Sequence, residues 1–172
     1  MIYLIDIDGT IADCSHRMHF IDHNTFVTWV AKTNLPPNAS DGKNWHFESN
    51  WDAFFKACVD DKPIQPVIEL VKCLQSQIVY ITGRSDLVRF ETQDWLAKHD
   101  LPITPLYMRR QGDHRPDDVV KSELLTLMFF DFSKGGTEIE LHELIAFEDR
   151  TRVVEMYRSR GIRCFQVADG NF

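Results

Sequence analysis

MIYLIDIDGTIAD, residues 1–13, decides how this chain reads. Met1-Ile2-Tyr3-Leu4-Ile5 is a short apolar run, β-rich in composition, that stops at an acidic turn. Continuous rather than alternating apolar character suits a strand buried on both faces, as at the centre of a parallel sheet. Asp6 and Asp8 are two residues apart, so in an extended segment their side chains project to the same side. Gly9 permits a sharp turn, and Thr10 offers a hydroxyl to the backbone there. Two carboxylates at the carboxyl end of a buried strand stand where open α/β sheets place their ligands.

The 172 residues fit one domain with room for a small inserted subdomain. With 44% hydrophobic and 26% charged residues the composition is that of an ordinary globular chain, and no apolar run approaches membrane-spanning length. A net charge of −7 argues against tight binding of long nucleic acid, whether sequence-blind or sequence-specific, because that needs a basic face. Local basic groups suffice to grip one phosphate. The cysteines, Cys14, Cys58, Cys73 and Cys164, form no C-x-x-C pair and read as reduced, buried thiols of a cytoplasmic protein. The opening strand is too short for a secretion signal and runs directly into acids, so neither a cleaved leader nor a preceding domain is expected.

Residues 14–63 interrupt the α/β rhythm. They hold Trp29, Trp45, Trp51, Phe20, Phe26, Phe47, Phe54 and Phe55, with loop signals at 34–38 and 40–42 between helical patterns over roughly 15–33 and 50–59. This aromatic insert is expected to form a small helical cap beside the site, with one or more of its tryptophans lining the substrate pocket. From Pro63 onward strands alternate with helices. Buried strands are expected at 78–81, ending in Thr82-Gly83-Arg84, at 105–108, at 144–147, ending in Glu148-Asp149, and at 164–167. Asp86 and Asp117 are expected to cap helices, and Gly161 to end the helix over 153–160. This order predicts a Rossmann-like parallel sheet with right-handed crossovers and helices on both faces.

In a parallel sheet the strand ends carrying Asp6/Asp8, Thr82 and Glu148/Asp149 share one edge. Lys121, one turn inside the helix that Asp117 opens, reaches the same edge. Together these groups supply what phosphoryl transfer through an aspartyl-phosphate needs. One carboxylate attacks phosphorus, and a second carboxyl protonates the leaving alkoxide and then deprotonates water. A hydroxyl and a lysine hold the equatorial oxygens, and the remaining acids offer Mg²⁺ its preferred oxygen ligands. His16, His19 and His23 share a helical face, but no fourth ligand is spaced for a tetrahedral site, so they read as surface or cap-facing groups.

Asp6-Ile7-Asp8-Gly9-Thr10, Thr82-Gly83-Arg84, Lys121 and Glu148-Asp149 match in order the four motifs of the haloacid dehalogenase-like (HAD) phosphatase superfamily. Within it, residues 78–84, 109–121 (RRQGDHRPDDVVK) and 147–172 resemble the 3′-phosphatase domain of phage polynucleotide kinase–phosphatases. The resemblance implies a HAD core over 1–13 and 64–172, carrying the helical insert 14–63. It implies Asp6 as nucleophile and Asp8 as general acid/base. It implies Mg²⁺ held by Asp6, the Asp8 backbone carbonyl and Asp149, with Glu148 in the outer shell. Thr82, Gly83 and Lys121 would bind the phosphoryl group, and Arg17, Arg84, Arg109 and Asp117 fall on positions that matter to that site. Glu148 stands where that domain has Asp, and the insert is much longer. No P-loop G-x-x-x-x-G-K-[ST] occurs in these residues, so no kinase half is expected.

The expected activity is removal of a terminal phosphate from a nucleic-acid 3′ end. The alternative is a nucleotidase acting on free nucleoside monophosphates, which the acidic charge and long cap favour. Against a non-catalytic binding protein of the same fold stand the intact Asp6, Asp8, Thr82, Lys121 and Asp149. A dehalogenase usually lacks an acid at the position of Asp8.

Overall fold

The computed structural model describes residues 1–33 and 47–170. Its centre is a five-stranded parallel sheet in the order β5-β4-β1-β6-β7. β1 (Ile2–Ile5) lies in the middle, paired with β4 (Gln77–Ser85) on one side and β6 (Leu144–Glu148) on the other, with Ile5 opposite both Tyr80 and Phe147. Flanked on both sides and covered on both faces, β1 needs no polar alternation, which is why its sequence has none. β5 (Leu106–Arg109) and β7 (Arg163–Gln166) form the edges.

Successive β1 side chains feed two cores. Ile5 and Ile7 join Ile68 and Val71 of α3 (Gln65–Lys72) with Trp95 and Leu96 of α4 (Arg89–Lys98). Ile2 and Leu4 join Leu125 and Met128 of α5 (Asp117–Lys134) with Val153, Val154 and Tyr157 of α6 (Thr151–Ser159). Helices therefore cover both faces, as the alternating pattern predicts.

The chain leaves this core at β2 (Ala12–Asp13) and returns at β3 (Lys62–Pro63), which pair antiparallel, Ala12 opposite Pro63. Between them run a 3₁₀ turn (Ser15–Phe20), α1 (His23–Thr33), α2 (Trp51–Lys56) and a second 3₁₀ turn (Ala57–Asp60). The helix expected over 15–33 is thus broken at Ile21-Asp22, where the Asp22 carboxylate accepts from Thr25 N at 2.8 Å and starts α1 afresh. α2 is capped by Asn50, whose side chain accepts from Ala53 N. Met18, Phe54, Phe55 and Cys58 pack with Val88 into a small separate core, whereas α1 buries no residue. The loop signals at 34–38 and 40–42, and Trp45, lie outside the described residues.

Other expectations shift. β4 runs to Ser85, past the stretch expected to form it, with a register break between Thr82 and Ser85. The Ser85 hydroxyl, not Asp86, caps the following turn by accepting from Leu87 N, and the Asp86 carboxylate accepts from Gln111 N at 2.8 Å. Pro116 occupies the N-cap of α5, so Asp117 is its first residue and its carboxylate is free to face inward. Cys14, Cys58 and Cys164 are buried, but Cys73, at the C-cap of α3, is exposed. Among the described residues no helix is long and apolar enough to cross a membrane.

Candidate active site

The polar residues that end β1, β4 and β6 meet at one edge of the sheet, as parallel strands require. After β1 the amides of Thr10, Ile11 and Ala12 all donate to the Ile7 carbonyl, curling the chain into a tight turn in which Gly9 has φ +83°. That conformation favours glycine, and space requires it too: a Cβ on Gly9 would lie 2.2 Å from Asp149 Oδ2. A Cβ on Gly170 would likewise lie 2.1 Å from the same oxygen. Two glycines therefore pack against the Asp149 carboxylate. Its Oδ1 accepts from the Thr10 hydroxyl at 3.4 Å, while Oδ2 is buried with no hydrogen-bond partner among the described residues.

Asp6 is buried, and its Oδ1 lies 2.8 Å from Lys121 Nζ. The same ammonium sits 2.7 Å from Glu148 Oε2 and 3.3 Å from Asp117 Oδ2. Glu148 turns its other oxygen back to accept from the amides of Asp149 and Arg150, the start of the loop into α6. Asp6, Glu148 and Asp149 each present an oxygen within 4.8 Å of the others. Burial, foremost, and then Glu148 push Asp6 up to about 8 against the pull of Lys121. Burial likewise raises Glu148 to about 7 and Asp149 to about 6, the latter with help from Asp6. For Lys121, burial opposes its charge, but Asp117, Asp6 and Glu148 outweigh it and hold the ammonium firmly protonated.

Asp8 sits in a second charge cluster. Its Oδ1 accepts from Arg17 Nη2 at 2.6 Å, from Arg84 Nε at 3.1 Å and from Arg84 Nη2. Burial opposes ionisation, yet the two guanidinium groups prevail and hold Asp8 well below the usual carboxylate range. Both arginines are fully buried and both also bind Asp61. Arg17 stacks on the Phe54 ring, 4.1 Å from its centroid. Thr82 is buried, and its hydroxyl accepts from Arg84 N at 3.2 Å. Gly83 leaves room for Asp117, whose Oδ1 would be 2.2 Å from a Cβ there.

Arg109, expected at the phosphate, lines the cavity over the site and is hydrogen-bonded to protein groups. Nε donates to the Gly83 carbonyl, Nη1 to the carbonyls of Asp113 and Arg115, and Nη2 to Asp117 Oδ1 at 2.8 Å. It holds the loop over 110–116 in shape and Asp117 in place. Arg17 and Arg84, also expected at the phosphate, hydrogen-bond to Asp8, Asp61, Thr92 and the Phe54 carbonyl.

A cavity of about 520 Å³ opens over these groups, with Asp6, Asp8, Gly83 and Lys121 in its lining. Trp51, Phe54 and Phe55 of α2, Arg109, the loop over 110–116, Asp117, and Arg150 and Arg152 also line it. Of the tryptophans expected there, Trp51 lines the cavity, Trp29 stacks on His19 elsewhere at a centroid distance of 4.5 Å, and Trp45 is outside the described residues. His16 pairs with Asp61 at 3.0 Å, and no histidine enters a metal-like cluster among the described residues. Sequence reasoning missed Asp61, Gly170 and the Thr10 hydroxyl as parts of the site. The one available signal was that two buried arginines need more than a single carboxylate.

An α/β chain of this topology, with its acids and lysine gathered at the carboxyl edge, falls in the HAD class of hydrolases. Residues 47–172 match the polynucleotide kinase PNKP phosphatase domain (HAD_PNKP), and the chain belongs to that family. It is a phosphatase. A chain of the Pnkp1/Rnl/Hen1 RNA repair complex is similar to it at 25% identity and TM-score 0.62, over 99% of this chain and 43% of that one. A haloacid dehalogenase-like family hydrolase from Streptococcus pneumoniae matches at 15% identity and TM-score 0.58, over 96% of this chain and 83% of that one. The HAD-fold protein YfnB from Bacillus subtilis, solved bound to magnesium, matches at 11% identity and TM-score 0.59, over 95% and 86% of the two chains. The chain spans less than half the length of the repair-complex chains it matches.

Because Gly170 packs against Asp149, Gly170→Ala should displace that carboxylate without altering any motif residue. Phosphate release should fall about tenfold or more, the scale of loss when the groups that orient a site's carboxylate are disturbed. The assay is run beside a melting curve; full activity in a folded variant would show that the placement of Asp149 is immaterial.

Proposed function

We propose that this chain removes the terminal phosphate from a nucleic-acid 3′ end through an aspartyl-phosphate on Asp6, with Mg²⁺ as cofactor. The observation that carries the reading is the buried acid cluster at the cavity floor: Asp6 against Lys121, beside an Asp149 oxygen without a hydrogen-bond partner.

The donor set fits a hard cation. It is all oxygen, three carboxylates are pushed toward protonation by burial and mutual repulsion, and one buried oxygen has no donor to bond. Asp6, Asp149 and the backbone carbonyl of Asp8 would hold Mg²⁺, with Glu148 behind them orienting Lys121. Bound there, the ion would neutralise charge on the phosphoryl oxygens and keep Asp6 ionised.

The chain's own groups then do the following. The Asp6 carboxylate attacks phosphorus, and the ester P–O bond breaks. Asp8, held ionised by Arg17 and Arg84 in the free protein, takes up a proton as the phosphoryl anion arrives, gives it to the departing 3′ oxygen and afterwards takes one from the water that attacks the aspartyl-phosphate, releasing phosphate and restoring Asp6. Lys121, the Thr82 hydroxyl and the Gly83 amide bind the equatorial oxygens. Arg109 and Asp117 act by position, fixing the rim loop and Lys121. The insert 14–63 acts as the cap, with Trp51 a stacking surface for the terminal base. The family and its likeness to an RNA repair complex support a polynucleotide end as the substrate. The net charge of −7 supports a free nucleotide.

The deciding experiment is a phosphate-release panel of 3′-phosphorylated oligonucleotides against 3′- and 5′-mononucleotides. Oligonucleotide 3′ ends should have the highest kcat/KM, and Asp6→Asn should be inactive and trap no phosphoenzyme. A preference for mononucleotides would make the chain a nucleotidase, and turnover by Asp6→Asn would end the covalent mechanism.

Trp51→Ala should lose about 1–3 kcal/mol of transition-state binding on oligonucleotides if the ring stacks on a base. With p-nitrophenyl phosphate, which has no base, the loss should be nearly absent. Equal losses on both would make Trp51 a packing residue.

The metal has a signature in stability as well. Asp6, Glu148 and Asp149 have folded values of about 8, 7 and 6, above those of the unfolded chain, so the folded state holds protons that the unfolded state releases. Their contribution to stability therefore falls as pH rises from the ordinary carboxylate range to about 8. Asp8, shifted the other way, matters only below that window. In EDTA the Tm should drop between about pH 5.5 and 8.5, and Mg²⁺ should restore it most at the higher pH. A Tm at pH 8.5 indifferent to Mg²⁺ would refute the assignment.

A further inference from the structure

Asp61 belongs to none of the motifs. It follows the 3₁₀ turn that closes the insert and directly precedes β3, and its side chain is completely buried. Its Oδ1 accepts from Arg17 Nε at 2.7 Å and contacts His16 Nε2 at 3.0 Å. Its Oδ2 accepts from Arg17 Nη2 at 2.8 Å and from Arg84 Nη2 at 2.6 Å. The backbone is pinned as well, since the Trp95 indole N–H donates to the Asp61 carbonyl at 2.8 Å.

The same two Nη2 groups, those of Arg17 and Arg84, also donate to Asp8 Oδ1. Two carboxylates thus share two buried guanidinium groups in a closed box. Arg17 faces Asp61 through its planar Nε/Nη2 fork, so Asp61 sets the plane from which Nη2 reaches Asp8. Without Asp61 the arginines would face one another across a single oxygen of Asp8, two buried like charges with one counter-charge between them. The box engages Oδ1 of Asp8 and leaves Oδ2 with no hydrogen bond among the described residues. Asp8 lines the cavity, so Oδ2 is the atom available to carry a proton there.

We propose that Asp61 is a positioning residue for the general acid: through Arg17 and Arg84 it fixes the Asp8 carboxyl with Oδ1 held and Oδ2 turned to the leaving oxygen. This rests on the reading of Asp8 as the acid. It also gives the insert a part in the chemistry, because Asp61 ends the insert and Arg17 begins it.

The test compares kcat/KM for an oligonucleotide ending in a 3′-phosphate with the same oligonucleotide ending in a bridging 3′-S-phosphate. The thiolate of the second leaves without a proton, whereas the binding groups are the same. Asp8→Asn serves as the reference and should slow the oxygen ester about 100-fold or more while largely sparing the sulfur ester. Asp61→Asn should show the same selectivity, with a loss of about tenfold or more on the oxygen ester, and Asp8→Asn/Asp61→Asn should be no slower than Asp8→Asn alone. Trp95→Phe, which keeps every charge but removes the donor to the Asp61 carbonyl along with part of a buried ring, should show a smaller loss of the same selectivity. It decides the question should Asp61→Asn not fold. Equal losses on both esters, or losses that add to those of Asp8→Asn, would overturn the role of Asp61. An Asp8→Asn enzyme equally active on both esters would instead overturn the reading of Asp8.

Discussion

The Lys121 ammonium lies buried at the carboxyl edge of the sheet, within 3.3 Å of Asp6, Asp117 and Glu148. A charge taken out of water is tolerated only with partners at close range, and removing one partner of a buried pair costs about 3–5 kcal/mol. Here the partners come from β1, α5 and β6, which are far apart in sequence. One cation therefore ties together the central strand, its neighbour and the helix that crosses behind them. The apolar packing of Leu125 and Met128 fixes α5 along its length, and the ion cluster fixes its first turn. The strong upward push on Asp6, Glu148 and Asp149 is the other side of the same constraint, since one lysine does not balance the acids that surround it.

Asp8 lies two residues from Asp6 but answers to a different set of charges. Its counter-charges are Arg17, from the first turn of the insert, and Arg84, from within the register break in β4. Two neighbouring carboxylates thus receive opposite treatment, one pushed up by burial and acids, the other held down by guanidinium groups. This order is the reverse of what a nucleophilic Asp6 and a proton-donating Asp8 need, so the proposed roles require a cation to lower Asp6 and the substrate's phosphoryl charge to raise Asp8.

Most of the core was legible because the periodicities that build it are local. β1, β4 and β6 read as unbroken apolar runs ending in polar residues, and parallel topology alone then brings Asp6, Thr82 and Glu148 to one edge. Lys121 was legible from its offset of one turn from Asp117. What escaped were contacts with no local signature. Asp61 follows Asp60 in what reads as a solvated helix end, and only the fold reveals that its side chain is buried between two arginines. Arg109 was placed on a phosphate by the family resemblance alone, which says nothing of where its donors go. The loop's own carbonyls, which nothing in the sequence locates, take those donors first. Gly170 escaped because a glycine near a chain end reads as a turn, and its closeness to Asp149 is a packing fact.

The short pairing of Ala12-Asp13 with Lys62-Pro63 separates two kinds of freedom. His16, Arg17 and Asp61, the insert residues that meet in the charge box, all lie within a few positions of that pairing. Everything between them is a loop as far as the core is concerned, and closing a longer loop adds only about 0.6 kcal/mol per doubling of its length. Outside α2, whose Phe54 stacks on Arg17 and accepts from it, the span can therefore lengthen, shorten or be exchanged while the strands at its base keep the box closed. Substrate range and chemical competence are written in different stretches of the chain, and a lineage can revise the first without rewriting the second.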